Sequence, residues 1–472
     1  MAVTGTRVPS LPAHPDGRAA EVLASGLLQE LSHAFGGPFH FLLPERFDAN
    51  LAAFRAVLAE AGVAGRVYYA KKANKAAVWV ERCAAGGAGV DVSGAGELRE
   101  ALAHGVRGED IVVTGPAKDT NLLRVAVLQG ALIAVDSVEE LDHLVALALG
   151  PDLALAPGEA ARPARVLLRR LPPTQPHSRF GLGNGELAVA LRRCAEAGDA
   201  VRMEGFSFHL TGYAVQPRAD LAGQLVTLCR AARALGLAAD RISVGGGFAV
   251  DYAAAEDWRG FLAEQRPEHY HAERSFTAAD FYPYHSPVAG AGALRAVLAA
   301  TPAGHAHSLG RLLREAGIAL LAEPGRALLD RAGSTVFRVR GVKDRDGYGV
   351  LTVDGTSLSL SEQWFNSEYL PDPVLLTPAG PAAGPAAYAA CVGGASCLEG
   401  DMVTWRKVPF PARPAVGDLL VYPNTAGYQM DSNESPFHEL PLPPKVVLDH
   451  PPPDAATRRP RWRLDRHATA AR

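Results

Sequence analysis

Cysteine is scarce in this chain, and what there is lacks pattern. The five residues Cys83, Cys194, Cys229, Cys391 and Cys397 have no metal-ligand spacing, and an odd, scattered set is no disulfide framework. Most are expected to be small buried apolar residues, which fits a reducing cytoplasm. No run of about 18 apolar residues occurs, so no membrane-spanning helix is expected. Excess positive charge is also missing. The net charge is -3, which argues against a nucleic-acid partner, where a basic face is expected. The first 18 residues lack the charged start and continuous apolar core of a secretory signal.

What is present reads as an ordinary globular chain. It has 472 residues, 48% hydrophobic and 21% charged, enough for two domains. Residues 1–37 form an N-terminal extension, helical around Glu21 to Ala34. Pro38 to Leu43 reads as a short strand, and Phe47 to Ala61 has helical period. Eight apolar strand candidates then follow: Val67–Ala70, Gly89–Val92, Ile111–Thr114, Ala131–Val135, Arg165–Arg169, Met203–Leu210, Arg241–Val244 and Ile318–Ala322. Helical stretches such as Gly96–His104, Val138–Leu149 and Asp220–Leu235 separate most of them. Ordered βα alternation implies a parallel sheet, and eight units fit a closed (β/α)8 barrel over residues 38–330. An insertion over about 251–287 carries Tyr282, Tyr284 and His285, and loops this long are commonly functional. Residues 331–450 alternate in short segments broken by Gly, Pro and Asp, and read as an all-β domain joined by the strand at 38–43. The proline- and arginine-rich tail, 451–472, is expected to be disordered.

Candidate chemistry is concentrated at the ends of the barrel strands, where barrels place it. In Tyr69-Ala70-Lys71-Lys72-Ala73-Asn74 a lysine follows the first buried strand. Poor solvation there favours the neutral amine, which can attack an aldehyde. His209 closes the sixth strand and shares a face with Ser207. Gly245-Gly246-Gly247 follows the seventh and lets backbone N–H groups approach a phosphate. Glu323-Pro324-Gly325-Arg326 follows the eighth and offers a carboxylate and a guanidinium. Alone, each has a plain structural reading: a surface lysine, a core histidine, a tight turn, a salt bridge. Together they supply the amine, ring plate, anion nest and pyridine partner that pyridoxal 5'-phosphate (PLP) needs.

In this order, YAKKAN (69–74), GVDVSGAGEL (89–98), SRFG (178–181), FHL (208–210), GGGF (245–248), EPGR (323–326), CLEGD (397–401) and NTAGY (424–428) resemble the fold-type III PLP-dependent amino acid decarboxylases. These are enzymes of the diaminopimelate and ornithine decarboxylase kind, with an alanine-racemase-like barrel. The resemblance spans 39 to 447. It implies that Lys72, not Lys71, is the Schiff-base lysine, that His209 stacks on the cofactor ring, and that Glu323 pairs with the pyridine nitrogen. It implies phosphate contacts from Gly246, Gly247, Gly325, Arg326 and Tyr428. Asp91 and Arg169 complete the cofactor-binding set. Cys397 would reach the site from a partner subunit and protonate Cα, so a homodimer with shared sites is implied. The reaction expected is loss of the α-carboxylate through an external aldimine and a carbanion.

Two alternatives stand beside decarboxylation. A racemase or epimerase of the same fold would carry arginine near the pyridine nitrogen, where this chain has Glu323. Non-catalytic PLP-binding proteins lack the β domain. The chain also departs from the family. Decarboxylases of dibasic substrates carry an acid after the cysteine, facing the distal ammonium, and here Leu398 stands there. An apolar side chain leaves such a cation unpaired, unless Glu399 substitutes. Tyr284 and His285 of the insertion are further candidates for the substrate pocket.

Overall fold

The computed structural model describes residues 8–150, 162–360, 369–449 and 461–465. The first strand, β1 (Phe39–Leu42), precedes eight barrel strands: β2 (Gly65–Ala70), β3 (Gly89–Val92), β4 (Ile111–Val113), β5 (Leu132–Val135), β6 (Ala164–Arg169), β7 (Val201–Ser207), β8 (Arg241–Ser243) and β9 (Ala319–Ala322). These close into a parallel barrel, with β9 pairing back to β2 through Gly65 and Leu320. Each expected strand is found within three residues of its place. Strands buried on both faces must be apolar throughout, which is why they stood out. Tyr68, Val112, Leu132, Leu167 and Leu321 fill the barrel interior, and the helices cover its outside.

The last third builds a second sheet from β10 (Gly333–Arg345), β11 (Tyr348–Val353), β12 (Val374–Thr377), β13 (Gly380–Pro381), β14 (Tyr388–Gly393), β15 (Met402–Phe410), β16 (Leu419–Tyr422), β17 (Lys445–Leu448) and β18 (Trp462–Leu464). The expected early strand belongs here. β1 lies between β10, antiparallel with Phe39 opposite Val336, and β17, parallel with His40 opposite Lys445. The barrel is thus inserted between two neighbouring strands of the other sheet.

Two expectations are corrected. The single helix at 21–34 is two, Gly17–Ala24 and Leu27–Phe35, parted at Gly26, whose φ of 75° breaks the run. Within the tail, residues 451–460 and 466–472 lie outside the described residues, but 461–465 are ordered. There β18 pairs with β17, Trp462 meets Phe35 edge-on at 6.2 Å, and Asp465 accepts the N–H groups of Ala77 and Val78 at 2.8 Å each. The insertion forms a helix, Ala255–Glu264, and then straps the barrel to the β domain. Lys407 donates to the Glu268 carbonyl at 2.7 Å, and the Tyr284 hydroxyl accepts from the Leu370 N–H at 3.2 Å.

Candidate active site

At the C-terminal end of the barrel a cavity of about 310 Å³ is lined by Lys72, Thr114, Arg169, Phe180, His209 and Glu323, among others. A larger hollow of about 900 Å³ opens at the opposite end, among Arg165, Arg202, Glu204 and Arg241. Size does not identify the site. Barrel chemistry belongs to the end where the strands finish.

The turn after β2 separates the two adjacent lysines. A single tight helical turn, Lys71–Ala73, buries Lys71, which pairs with Glu100 at 3.1 Å. Lys72 opens onto the cavity. The β domain clamps this turn. The Tyr428 N–H donates to the Ala73 carbonyl at 2.7 Å, and Asn74 Nδ2 donates to the Ala426 carbonyl at 2.9 Å. A Cβ on Gly325 would lie 3.0 Å from the Tyr428 hydroxyl, so the lysine turn, the EPGR turn and the NTAGY loop meet.

The charge of Lys72 contradicts the expectation drawn from burial. Enclosure lowers its pKa, but Asp91, the Tyr428 phenol and Glu323 outweigh it and the net shift is upward. The acids around it therefore favour the charged form of the amine. Asp91 is the counterpart. Burial and then Glu323 push its carboxyl up to about 7, against Lys72 and a 2.6 Å hydrogen bond from Thr114. Glu323 accepts from Ser243 Oγ at 2.5 Å. The His209 imidazole is driven down to about 3 by burial and then by Lys72, Arg169 and Arg218. The ring is therefore neutral near neutrality. A neutral imidazole is a suitable flat plate for an aromatic ring. Arg169 pairs with Asp136 at 3.1 Å and lies over Phe180 at 4.4 Å.

The glycine turn is shaped by contact. Gly247 has φ of 75°, and a Cβ on Gly246 would sit 2.8 Å from the Glu323 carbonyl oxygen. Among the described residues the N–H groups of Gly246 and Gly247 meet no acceptor, as in an anion nest. Arg326 is buried between the rings of Tyr282 (4.3 Å) and Tyr428 (4.9 Å) and donates to the Tyr252 hydroxyl at 3.3 Å.

Other expected residues are not brought to the cavity. Cys397, Leu398 and Glu399 are exposed on a loop of the β domain, with Cys397 Sγ 3.2 Å from His438 Nε2. The other four cysteines are buried. Tyr284 and His285 do not line the cavity. Tyr284 is buried against Tyr252, Tyr282 and Tyr369. His285 is held 2.9 Å from Asp251, which also takes His14 at 2.9 Å. Both brace the insertion. Phe180 lies within the SRFG motif, whereas two neighbours of the site stood outside every motif: Thr114, which lines the cavity, and Arg218, which reaches the glycine turn. Only Arg218 left a signal in the sequence: a basic residue near the start of a helix, where positive charge is disfavoured.

The cavity thus has an amine, a carboxylate and a neutral ring plate, and the glycine turn with unmet donors packs against His209 and Glu323. These residues fit PLP. Residues 46–271 match the family model for the pyridoxal-binding domain of pyridoxal-dependent decarboxylases. The chain is 37% identical to an uncharacterized protein, y4yA, of Sinorhizobium fredii, over 89% of this chain and 90% of that one. It is 27% identical to a diaminopimelate decarboxylase of Deinococcus radiodurans, over 90% of this chain and 93% of that one. Among solved structures, diaminopimelate decarboxylase from Helicobacter pylori complexed with L-lysine superposes with a TM-score of 0.69 at 18% identity, covering 93% and 96% of the two chains. The fold and cavity define a PLP enzyme of the barrel-plus-β-domain class. The chain belongs to the pyridoxal-dependent amino acid decarboxylase family, and PLP is its cofactor.

Proposed function

We propose that this enzyme removes the α-carboxylate of an amino acid, with Lys72 holding the cofactor aldehyde and Cys397 of a second copy returning a proton to Cα. The observation that carries the reading is the convergence of Lys72, His209 and Glu323 on one cavity, with the lysine charge favoured by Asp91, the Tyr428 phenol and Glu323. PLP, when bound, supplies an electron sink for the bond broken at Cα. Glu323, fixed by Ser243, would pair with the pyridine nitrogen and keep it protonated, which favours decarboxylation over racemisation. His209 would plate the ring. The Gly246 and Gly247 N–H groups, with Gly325, Arg326 and Tyr428, would hold the phosphate. Asp91 and Arg169 would complete the cofactor-binding set.

Cys397 lies outside its own chain's cavity, beside the exposed apolar Leu398 and close in space to His438, next to the exposed Phe437. That placement supports a homodimer with shared sites. Leu398 supports a substrate without a bare distal ammonium held in the usual way. Carbon dioxide release and product mass across a set of amino acids test the activity. Exchange of the Cα hydrogen without CO2 would point to a racemase, and bound cofactor without turnover of any amino acid to a non-catalytic binder. Mixing inactive Lys72→Ala with inactive Cys397→Ala should restore turnover if sites are shared, and silence in the mixture overturns that arrangement. Robust turnover of diaminopimelate that survives Glu399→Ala would refute the argument from Leu398.

A further inference from the structure

Arg218 is the fourth residue of the helix Val215–Ala234, which follows β7. Its side chain is 2% exposed. Nη1 donates to the Gly247 carbonyl at 3.3 Å, while Nε and Nη2 have no hydrogen-bond partner among the described residues. Nη2 would lie 2.5 Å from a Cβ on Gly247, so the guanidinium sits directly beneath the glycine turn, with Phe248 on one flank at 5.6 Å. The titratable groups that face it are Tyr213 and His209, and no carboxylate is among them. The first turn of its helix has no acidic residue. That turn already bears partial positive charge and unmet N–H groups.

A buried cation with open donors and no counter-ion is an unstable arrangement. Burial drives this guanidinium down to about 10, which still leaves it charged near neutrality. Above it lie the Gly246 and Gly247 N–H groups, also without acceptors among the described residues. Three sources of positive potential thus surround one turn: the helix start, the backbone donors and Arg218. The missing partner is an anion.

We propose that Arg218 is a positioning residue that tunes the glycine turn for a phosphate monoester dianion. It holds the Gly247 carbonyl from below, so that the N–H groups face the ligand, and it supplies a full positive charge behind them. This rests on the reading of Gly246 and Gly247 as the phosphate cradle. It adds a cation outside the motifs that carry the family resemblance, on a helix rather than on a barrel loop.

The test compares PLP with pyridoxal, which has the aldehyde and ring but no phosphate, in equilibrium titrations of the full-length apoprotein. Arg218→Met should weaken PLP by about tenfold or more while pyridoxal changes by less than about twofold, and Arg218→Lys should recover most of the loss. Equal weakening of both ligands, or of neither, overturns the proposal. Should Arg218→Met fail to fold, the wild-type apoprotein decides. Inorganic phosphate at fixed ionic strength should raise its melting temperature above that in chloride, and no rise overturns the proposal. Gly246→Ala separates the two readings. If it leaves the ratio of PLP to pyridoxal affinity intact, the cradle itself is misplaced. If it collapses the ratio while Arg218→Met does not, only the role of Arg218 falls.

Discussion

The two ends of the barrel treat buried acids in opposite ways. At the N-terminal end Glu204, 1% exposed, sits at a bulge in β7 and is saturated with cations. Arg165 grips it with two bonds of 2.7 and 3.1 Å, Arg241 approaches to 3.0 Å and Arg202 to 3.5 Å. At the C-terminal end two acids, Asp91 and Glu323, act on one lysine, and each is steadied by a single hydroxyl, from Thr114 and Ser243. Arg169, nearby, is committed to Asp136. One end has more cations than its acid needs and is locked. At the other, two acids share one lysine, and the balance responds to whatever charge arrives. The larger hollow belongs to the locked end, so the state of the charges, not the volume, marks the chemistry.

Substitutions at the two ends should therefore fail differently. The largest effect is expected for Lys72→Ala, which should abolish turnover and the visible absorbance of lysine-bound cofactor, whereas Lys71→Ala should retain that absorbance. Loss with Lys71→Ala instead would reverse the register. Glu323→Gln should lower kcat by about 10²- to 10⁴-fold, the range for a positioned acid–base group, with little change in melting temperature. Glu204→Gln should do the reverse. Leaving three arginines around a neutral amide should cost about 3–5 kcal/mol of stability, read by denaturant unfolding, while the cofactor spectrum stays the same. A spectral change there would break the contrast between the ends.

The smallest effects concern pH in the apoprotein. Asp91 binds its proton more tightly folded than unfolded, so it lowers stability as pH rises from 3.8 towards about 7. Asp91→Asn should flatten that slope. His209 has the opposite sign. Its folded value lies below its unfolded one, so stability is lost as pH falls from 6.5 towards about 3. Melting temperature against pH for the wild type and both variants checks the two signs, and cavity water should shrink both slopes.

The barrel was legible because strands buried on both faces are written as unbroken apolar runs, as in Val67–Ala70 and Ala131–Val135. The sheet of the β domain was less so. Tyr388–Gly393, in the sequence YAACVG, has only one β-branched residue, and β18 is held by Phe35 and Val446–Leu448, distant in sequence. In the site, strand ends and motif order located Lys72, His209, Gly246 and Glu323. The charge of Lys72 was misread because the acids that set it come from other strands, 19 and 251 positions away in the chain. Tyr284 and His285 are pocket candidates on composition alone. Nothing local in the sequence shows that one packs on Tyr369 and the other on Asp251.

The position of β1 has a consequence for how the molecule is made. It is the first strand to leave the ribosome and the one the last-made sheet closes around, with partners at Val336 and Lys445. About three hundred residues must be synthesised before it pairs at all. The clamp on the lysine turn, from Ala426 and Tyr428, arrives later still. A nascent barrel thus emerges with its amine unsecured, and cofactor loading becomes an act of the finished chain. Truncation after β9 but before Ala426 should leave a protein that can wind its barrel but cannot hold its lysine.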